Sequence, residues 1–231
     1  MKRFYKDVSV APTDGGFAIL LDGKPVKTPS RAVLAVQSQM LAEAVAEEWR
    51  GQGEDIDPAA MPLTRLANTA IDIVAADRGK TANQILAYGR SDLLAYRAAE
   101  PEALVARQNR DWNPLLDWLS ERYGARLVTG RGVAFVDQPG EALVALDSAV
   151  WAHDDFMLAA LHNATTIMGS LVLALALAER RLDARAAFAA STLDESFQAE
   201  RWGHDAEAAG RHARLAAELA ATERFMRLAR G

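Results

Sequence analysis

The sequence contains no cysteine. This rules out a disulfide framework, a thiolate nucleophile and a cysteine-ligated zinc or iron–sulfur centre, and it permits a reducing compartment. An excess of positive charge is also missing: 26 Lys and Arg stand against 31 Asp and Glu, for a formal net charge of −5. General nucleic-acid binding needs a basic face to neutralise phosphates, and the balance argues against it. No apolar run is long enough to cross a bilayer. Ile167 to Ala178 carries no charge but falls well short of the roughly 20 residues required. It reads as a buried helix, and no stable membrane insertion is expected. Behind Met1-Lys2-Arg3-Phe4-Tyr5-Lys6 there is no apolar segment, so neither a secretory signal nor an anchor is read there, and the stretch is too short for an organelle transit peptide. The fold is expected to begin almost at Met1, and the default compartment is the cytoplasm.

Catalytic signatures are equally scarce. Neither a P-loop nor a dinucleotide fingerprint occurs, and Gly130-Arg131-Gly132 has two glycines without the rest of a phosphate-cradling motif. A glycine-x-serine-x-glycine elbow is absent too. Ligand types for a metal do occur, in His153-Asp154-Asp155 and His204-Asp205, but adjacent residues on a helix diverge by about 100°. His204 and Glu207 have i, i+3 spacing and His162 lies beside an apolar helix, yet no matching pair supplies the other half of a bundle site. No catalytic residue, metal or cofactor is expected. His212 falls in an apolar stripe, where a hydrogen-bonded core or boundary histidine is the common outcome.

What the chain does have is pattern. With 231 residues, half of them hydrophobic, it can build one large core or two smaller ones. From Arg3 to Val36, short β-rich runs (Phe4-Tyr5, Val8 to Val10, Phe17 to Leu21, Val33 to Val36) alternate with turn residues, and Asp22-Gly23 is a hairpin signal. From Ser38 the period becomes helical, with Ser38 as cap and Gly51 as stop. Gly51 to Pro62 reads as a linker. The expected class is α+β: a small β-rich N-terminal domain with one helix over 1–60, then a larger all-helical C-terminal domain over 61–231. Helices are expected over Leu63 to Ala76, Thr81 to Ala98, Pro101 to Tyr123, Glu141 to Trp151, Asp154 to Thr166, Ser170 to Arg180, Ala184 to Trp202 and Asp205 to Arg230. Pro114 should kink or divide its helix. Arg126 to Pro139, with Leu127-Val128 and Val133 to Val136, reads as a short hairpin or loop.

Two groups of residues stand out. On a helix, Glu195, Gln198 and Trp202 share one face, while Leu193 and Phe197 share the other and face a core. Gly203 ends that helix, and Asp205 caps the next, with Glu207 in its first turn. A carboxylate, an amide and an indole together suit recognition of another surface; the alternative is Trp202 as a core anchor and Glu195 as a solvated or capping carboxylate. The second group, Asp92, Arg97, Arg107 and Gln108, suits a polar network between helices or a polar patch near a binding surface.

In order along the chain, Arg3-Phe4-Tyr5-Lys6, Leu21 to Pro29 (LDGKPVKTP), Glu48-Trp49, Met61-Pro62-Leu63-Thr64, Asp92 to Arg97, Arg107-Gln108, Trp112-Asn113-Pro114, Gly169-Ser170 and the Glu195 to Ala208 stretch resemble the assembly chaperones of F-type ATP synthase that attend the alpha subunit of its catalytic head. The resemblance implies a β-rich N-terminal part, a helical C-terminal part and a function without chemistry. The implied partner is the newly made ATP synthase alpha subunit, its beta-facing surface masked until the beta subunit arrives. It implies Glu195, Gln198, Trp202, Asp205 and Glu207 as the partner-binding site, and a mitochondrial location for eukaryotic relatives. The competing readings are a general holdase for unfolded clients and a metal-dependent hydrolase.

Overall fold

The computed structural model describes every residue from Met1 to Gly231 except Val133 and His204. Val133, the first residue of the expected Val133 to Val136 hairpin or loop segment, and His204, the candidate metal ligand, lie outside the described residues. Strands β1 (Val8–Thr13), β2 (Gly16–Leu21), β3 (Lys24–Pro25) and β4 (Ala35–Val36) form an antiparallel sheet with β2 at its centre. Asp22 and Gly23 both take positive φ, 48° and 77°, so Leu21 pairs with Lys24 in a two-residue hairpin. Helix α1 (Gln39–Arg50) follows, its first turn capped by the Ser38 hydroxyl, which accepts from Leu41 N–H. The chain continues through α2 (Pro62–Thr69), α3 (Arg78–Arg90), β5 (Tyr96–Arg97), α4 (Glu102–Tyr123), β6 (Gly130–Arg131), α5 (Gly140–Trp151), α6 (Asp155–Met168), α7 (Leu171–Ala178), α8 (Ala184–Ser191), α9 (Leu193–Trp202) and α10 (Ala206–Ala229). The class is α+β, a small strand region followed by a mostly helical remainder.

By contacts the chain forms two compact units. The first comprises Met1–Thr81, Asp154–Ala160 and Ala221–Gly231. Its core is built on Ile19, Leu34, Val36, Leu41, Val45, Leu63 and Phe225, all buried. The Gly51 to Pro62 stretch lies within this unit and is pinned there: Ile56 N–H donates to the Met1 carbonyl, and Asp57 N–H donates to the Gln52 side chain. Glu48 explains why α2 starts where it does. Met61 supplies no side-chain cap and Pro62 has no N–H, so the orphan donors are those of Leu63 and Thr64. The Glu48 carboxylate takes both at 2.8 Å and the Thr64 hydroxyl at 2.7 Å. Burial pushes its pKa above the usual carboxylate range, against the lowering pull of those hydrogen bonds. Glu48→Ala leaves these donors without an acceptor and is expected to cost about 2 kcal/mol, read from urea denaturation. A loss below about 0.5 kcal/mol, the level of an ordinary surface change, would reject Glu48 as the cap of α2.

The second unit comprises Ala82–His153 and Leu161–Ala220. Every residue of α7 is buried, with Leu94, Trp112, Leu119, Leu146 and Leu161 also in its core. Several sequence expectations need correction here. The helix expected over Thr81 to Ala98 ends at Arg90, because Asp92 takes an extended backbone and its own carboxylate accepts Leu94 N–H, favouring a tight turn over another helical turn. Ala184 to Trp202 is two helices. At the joint the Phe188 carbonyl accepts from Ser191 Oγ, Thr192 Oγ1 and Thr192 N–H, and Thr192 leaves helical geometry. Helix α4, by contrast, runs undivided through Pro114. The apolar Ile167 to Ala178 stretch straddles the end of α6 and all of α7, parted at Gly169-Ser170. Within Arg126 to Pro139, expected as a short hairpin or loop, the described residues are mostly loop, and the one short strand, β6, pairs in parallel with β5, Tyr96 opposite Gly130.

Candidate functional site

The α9 helix presents its two faces as its spacing predicts: Leu193 and Phe197 are buried, while Trp202 is 79% exposed and is therefore not a core anchor. Gly203, at φ 97°, ends the helix with its N–H on the Ala199 carbonyl. Positive φ is what a side chain at this corner would resist. Asp205 then caps α10, its carboxylate accepting Glu207 N–H at 3.1 Å and its carbonyl accepting Ala209 N–H. Glu195, Gln198, Trp202 and Asp205 come together around one open groove of about 590 Å³, which Arg211 and His212 of α10 also line. Glu207 is not part of that lining.

The sequence reading missed the partner of Glu195. His212 Nε2 lies 2.5 Å from Glu195 Oε2, and its ring meets Phe188 edge-on with centroids 5.9 Å apart. The half-buried imidazole thus fixes the carboxylate's position on the groove rim and joins α10 to α9. The signal was present: Glu195 and His212 are nearly equidistant from Gly203, and a helical corner brings such positions face to face.

The four residues of the polar group are split between two roles. Asp92 is fully buried and accepts from Leu94 N–H at 3.0 Å, Ser170 Oγ at 2.8 Å and Val172 N–H at 3.1 Å, so it joins the α3–β5 turn to the start of α7. Burial raises its pKa to about 6 despite those donors. Arg97 is buried as well, donating to the carbonyls of Leu94 and Gln108, with its guanidinium 5.2 Å from the Trp112 ring centroid. Burial lowers the Arg97 pKa, and the nearby Asp194 charge opposes that. Gln108 accepts Ala98 N–H and donates to Asp194 Oδ1 at 2.7 Å, carrying the network onto α9. Arg107 stands apart at the surface, where it grips Glu200 of α9 through two hydrogen bonds of 2.8 Å. The network and the groove therefore meet on one helix: Asp194 and Glu200 anchor α9 to α4, while Glu195, Gln198 and Trp202 face outward.

Among the described residues, no group of three or more His, Asp or Glu is arranged to hold a metal ion, and no helix is long and apolar enough to cross a membrane. The candidate ligand His204 lies outside the described residues.

The fold defines the class. It matches the crystal structure of Atp12 from Paracoccus denitrificans with a TM-score of 0.95 and 45% identity, over 99% of this chain and 98% of that one. An aspartate-to-lysine mutant of the same bacterium's Atp12p matches with a TM-score of 0.95 and 44% identity, covering 99% and 97%. The mitochondrial protein atp12 of the fission yeast Schizosaccharomyces pombe is 25% identical over 214 residues, 87% of this chain and 74% of its own length. The family model described as ATP12 chaperone protein matches residues 2–120, and the chain belongs to that family.

Proposed function

We propose that this chaperone acts in assembly of F-type ATP synthase, holding the newly made alpha subunit by the α9–α10 groove and covering its beta-facing surface until the beta subunit displaces it. The supporting observation is Trp202, an indole 79% exposed to solvent beside the carboxylates of Glu195 and Asp205. A large rigid aromatic with polar groups around it is the usual composition of a binding hot spot, and leaving it in water has a hydrophobic cost that a partner would relieve. In this reading Glu195, Gln198, Trp202 and Asp205 touch the client. Glu207 supports the start of α10, Arg107 and Gln108 hold α9 in place, and Asp92 and Arg97 brace the start of α7 and the α4 backbone at Gln108. The protein binds stoichiometrically, without turnover, metal or cofactor, in a bacterial cytoplasm.

Affinity capture from cell extract tests it. The tagged chain is expected to retain the alpha subunit selectively, and Glu195→Lys to weaken retention about tenfold, since the change reverses charge on the rim and sets an ammonium against His212. Melting curves check that both chains are folded. Undiminished capture by the folded variant rejects Glu195 as a contact. Capture of many unrelated proteins indicates a general holdase, and metal-dependent turnover of a small substrate would return the hydrolase reading.

A further inference from the structure

A second and larger groove, of about 720 Å³, runs between α4 and the α8–α9 pair. Its floor is apolar: Leu115 and Leu193 line it and are buried. Its α8 wall is low, built by Ala186, Ala189 and Ala190, and small side chains let another backbone approach closely. The charges around it do not balance. Arg107 is held by Glu200 through two bonds of 2.8 Å, and Arg110 by Asp111 through bonds of 2.7 and 2.8 Å. Arg181, the third arginine on the lining, is exposed and has no carboxylate within ion-pair distance among the described residues. The groove thus offers one unneutralised cation over an aliphatic floor, on a chain whose net charge is −5.

We propose that this groove binds an extended segment of the client protein, with an acidic side chain at Arg181 and aliphatic side chains over Leu115 and Leu193. The proposal deepens the chaperone reading above and rests on it for the identity of the client. A single free guanidinium suits one carboxylate. A phosphate or nucleic-acid backbone would call for several cations, and here two of the three are already neutralised. An open groove with a leucine floor and an alanine wall suits a chain better than a small polar ligand. The two grooves also share α9: Leu193 and Glu200 line this one, whereas Glu195, Gln198 and Trp202 line the other. At helical spacing those sets occupy different faces, so a client engaging both would straddle the helix.

The test uses the full chain and two probes. The first is a capped tripeptide, leucine–glutamate–leucine, followed by amide shift mapping, with leucine–lysine–leucine as its counterpart. The glutamate peptide should shift the amides of Leu115, Arg181 and Ala189, and the lysine peptide should not. Arg181→Glu, and Ala189→Trp, which fills the groove without changing charge, should each abolish those shifts. Arg185→Glu, an exposed change on α8 away from the lining, should leave them intact. The second probe is purified alpha subunit, whose affinity should fall about tenfold for Arg181→Glu and stay constant for Arg185→Glu. All three positions are exposed, so the variants should keep the native circular dichroism spectrum. Unshifted groove amides, equal shifts from both peptides, or equal affinity of the wild type and Arg181→Glu for the alpha subunit would each overturn the proposal. Peptide binding in the groove by a wild-type chain that retains no alpha subunit would uphold the groove and reject the alpha subunit as its client.

Discussion

Replacing Asp92 with alanine lowers stability by about 3 kcal/mol at pH 7 and removes a pH dependence that the native protein shows. The first effect follows from its three donors. Leu94 N–H, Val172 N–H and the Ser170 hydroxyl are buried together, and each loses its acceptor. Removing the cost of a buried charge offsets part of that loss. For a chain of this length the net change corresponds to a fall in Tm of roughly 6–12 °C. The second effect has a definite sign. Burial raises the folded-state pKa from 3.8 to about 6, so the folded protein binds the Asp92 proton more tightly than the unfolded chain does. The stability linked to that proton is fully present below the unfolded value and is lost as pH rises through 6. Between pH 7 and pH 5 the native protein therefore gains roughly 1 kcal/mol from this group, and Asp92→Ala gains nothing from it. Urea denaturation of both proteins at the two pH values measures the difference. Parallel changes in wild type and variant would show that Asp92 does not titrate in this window.

Asp92 also shows where reading the chain by periodicity stops. The residues around it have a helical spacing, and nothing local says that the carboxylate will serve α7, which begins 79 positions further on. The same limit applies to β6, whose partner Tyr96-Arg97 precedes it by more than thirty residues, and to the Glu48 cap of α2, where an acidic side chain on one helix completes the next. Features governed by neighbouring residues were legible: the Asp22-Gly23 hairpin, the Ser38 cap, the two faces of α9, the Gly203 corner and the Asp205 cap. The break at Thr192 is local too, but periodicity is blind to it, because it arises from hydroxyls bonding back to the Phe188 carbonyl. Four of the five residues named for binding share a groove, since they are set by one helix and its corner. Their neighbours Arg211 and His212 come from the far side of that corner and required knowledge of how α10 folds back.

The Trp112→Ala substitution is expected to have the largest effect on the helical unit, about 4 kcal/mol, because a fully buried indole leaves both a cavity and an unmade hydrogen bond. Its Nε1–H donates to the Ala190 carbonyl at 3.0 Å, and the Arg97 guanidinium lies over its ring. Ala190 lies two residues before the Thr192 joint, so this bond ties α4 to the point from which α9 departs. Trp112→Phe separates the two contributions. It retains most of the apolar body and loses the N–H donor, and should cost about 1–2 kcal/mol. Trp112 lines neither groove, yet the alanine variant should weaken the proposed binding of the alpha subunit even below its melting temperature, because the α8–α9 joint from which α9 departs loses its tie to α4. The phenylalanine variant should bind nearly as the wild type does. Calorimetry and affinity measured side by side decide the matter: if Trp112→Ala costs less than about 1 kcal/mol, the indole does not anchor this junction. If it costs the expected amount while affinity stays unchanged, the Gln108–Asp194 and Arg107–Glu200 bonds suffice to hold α9 against α4.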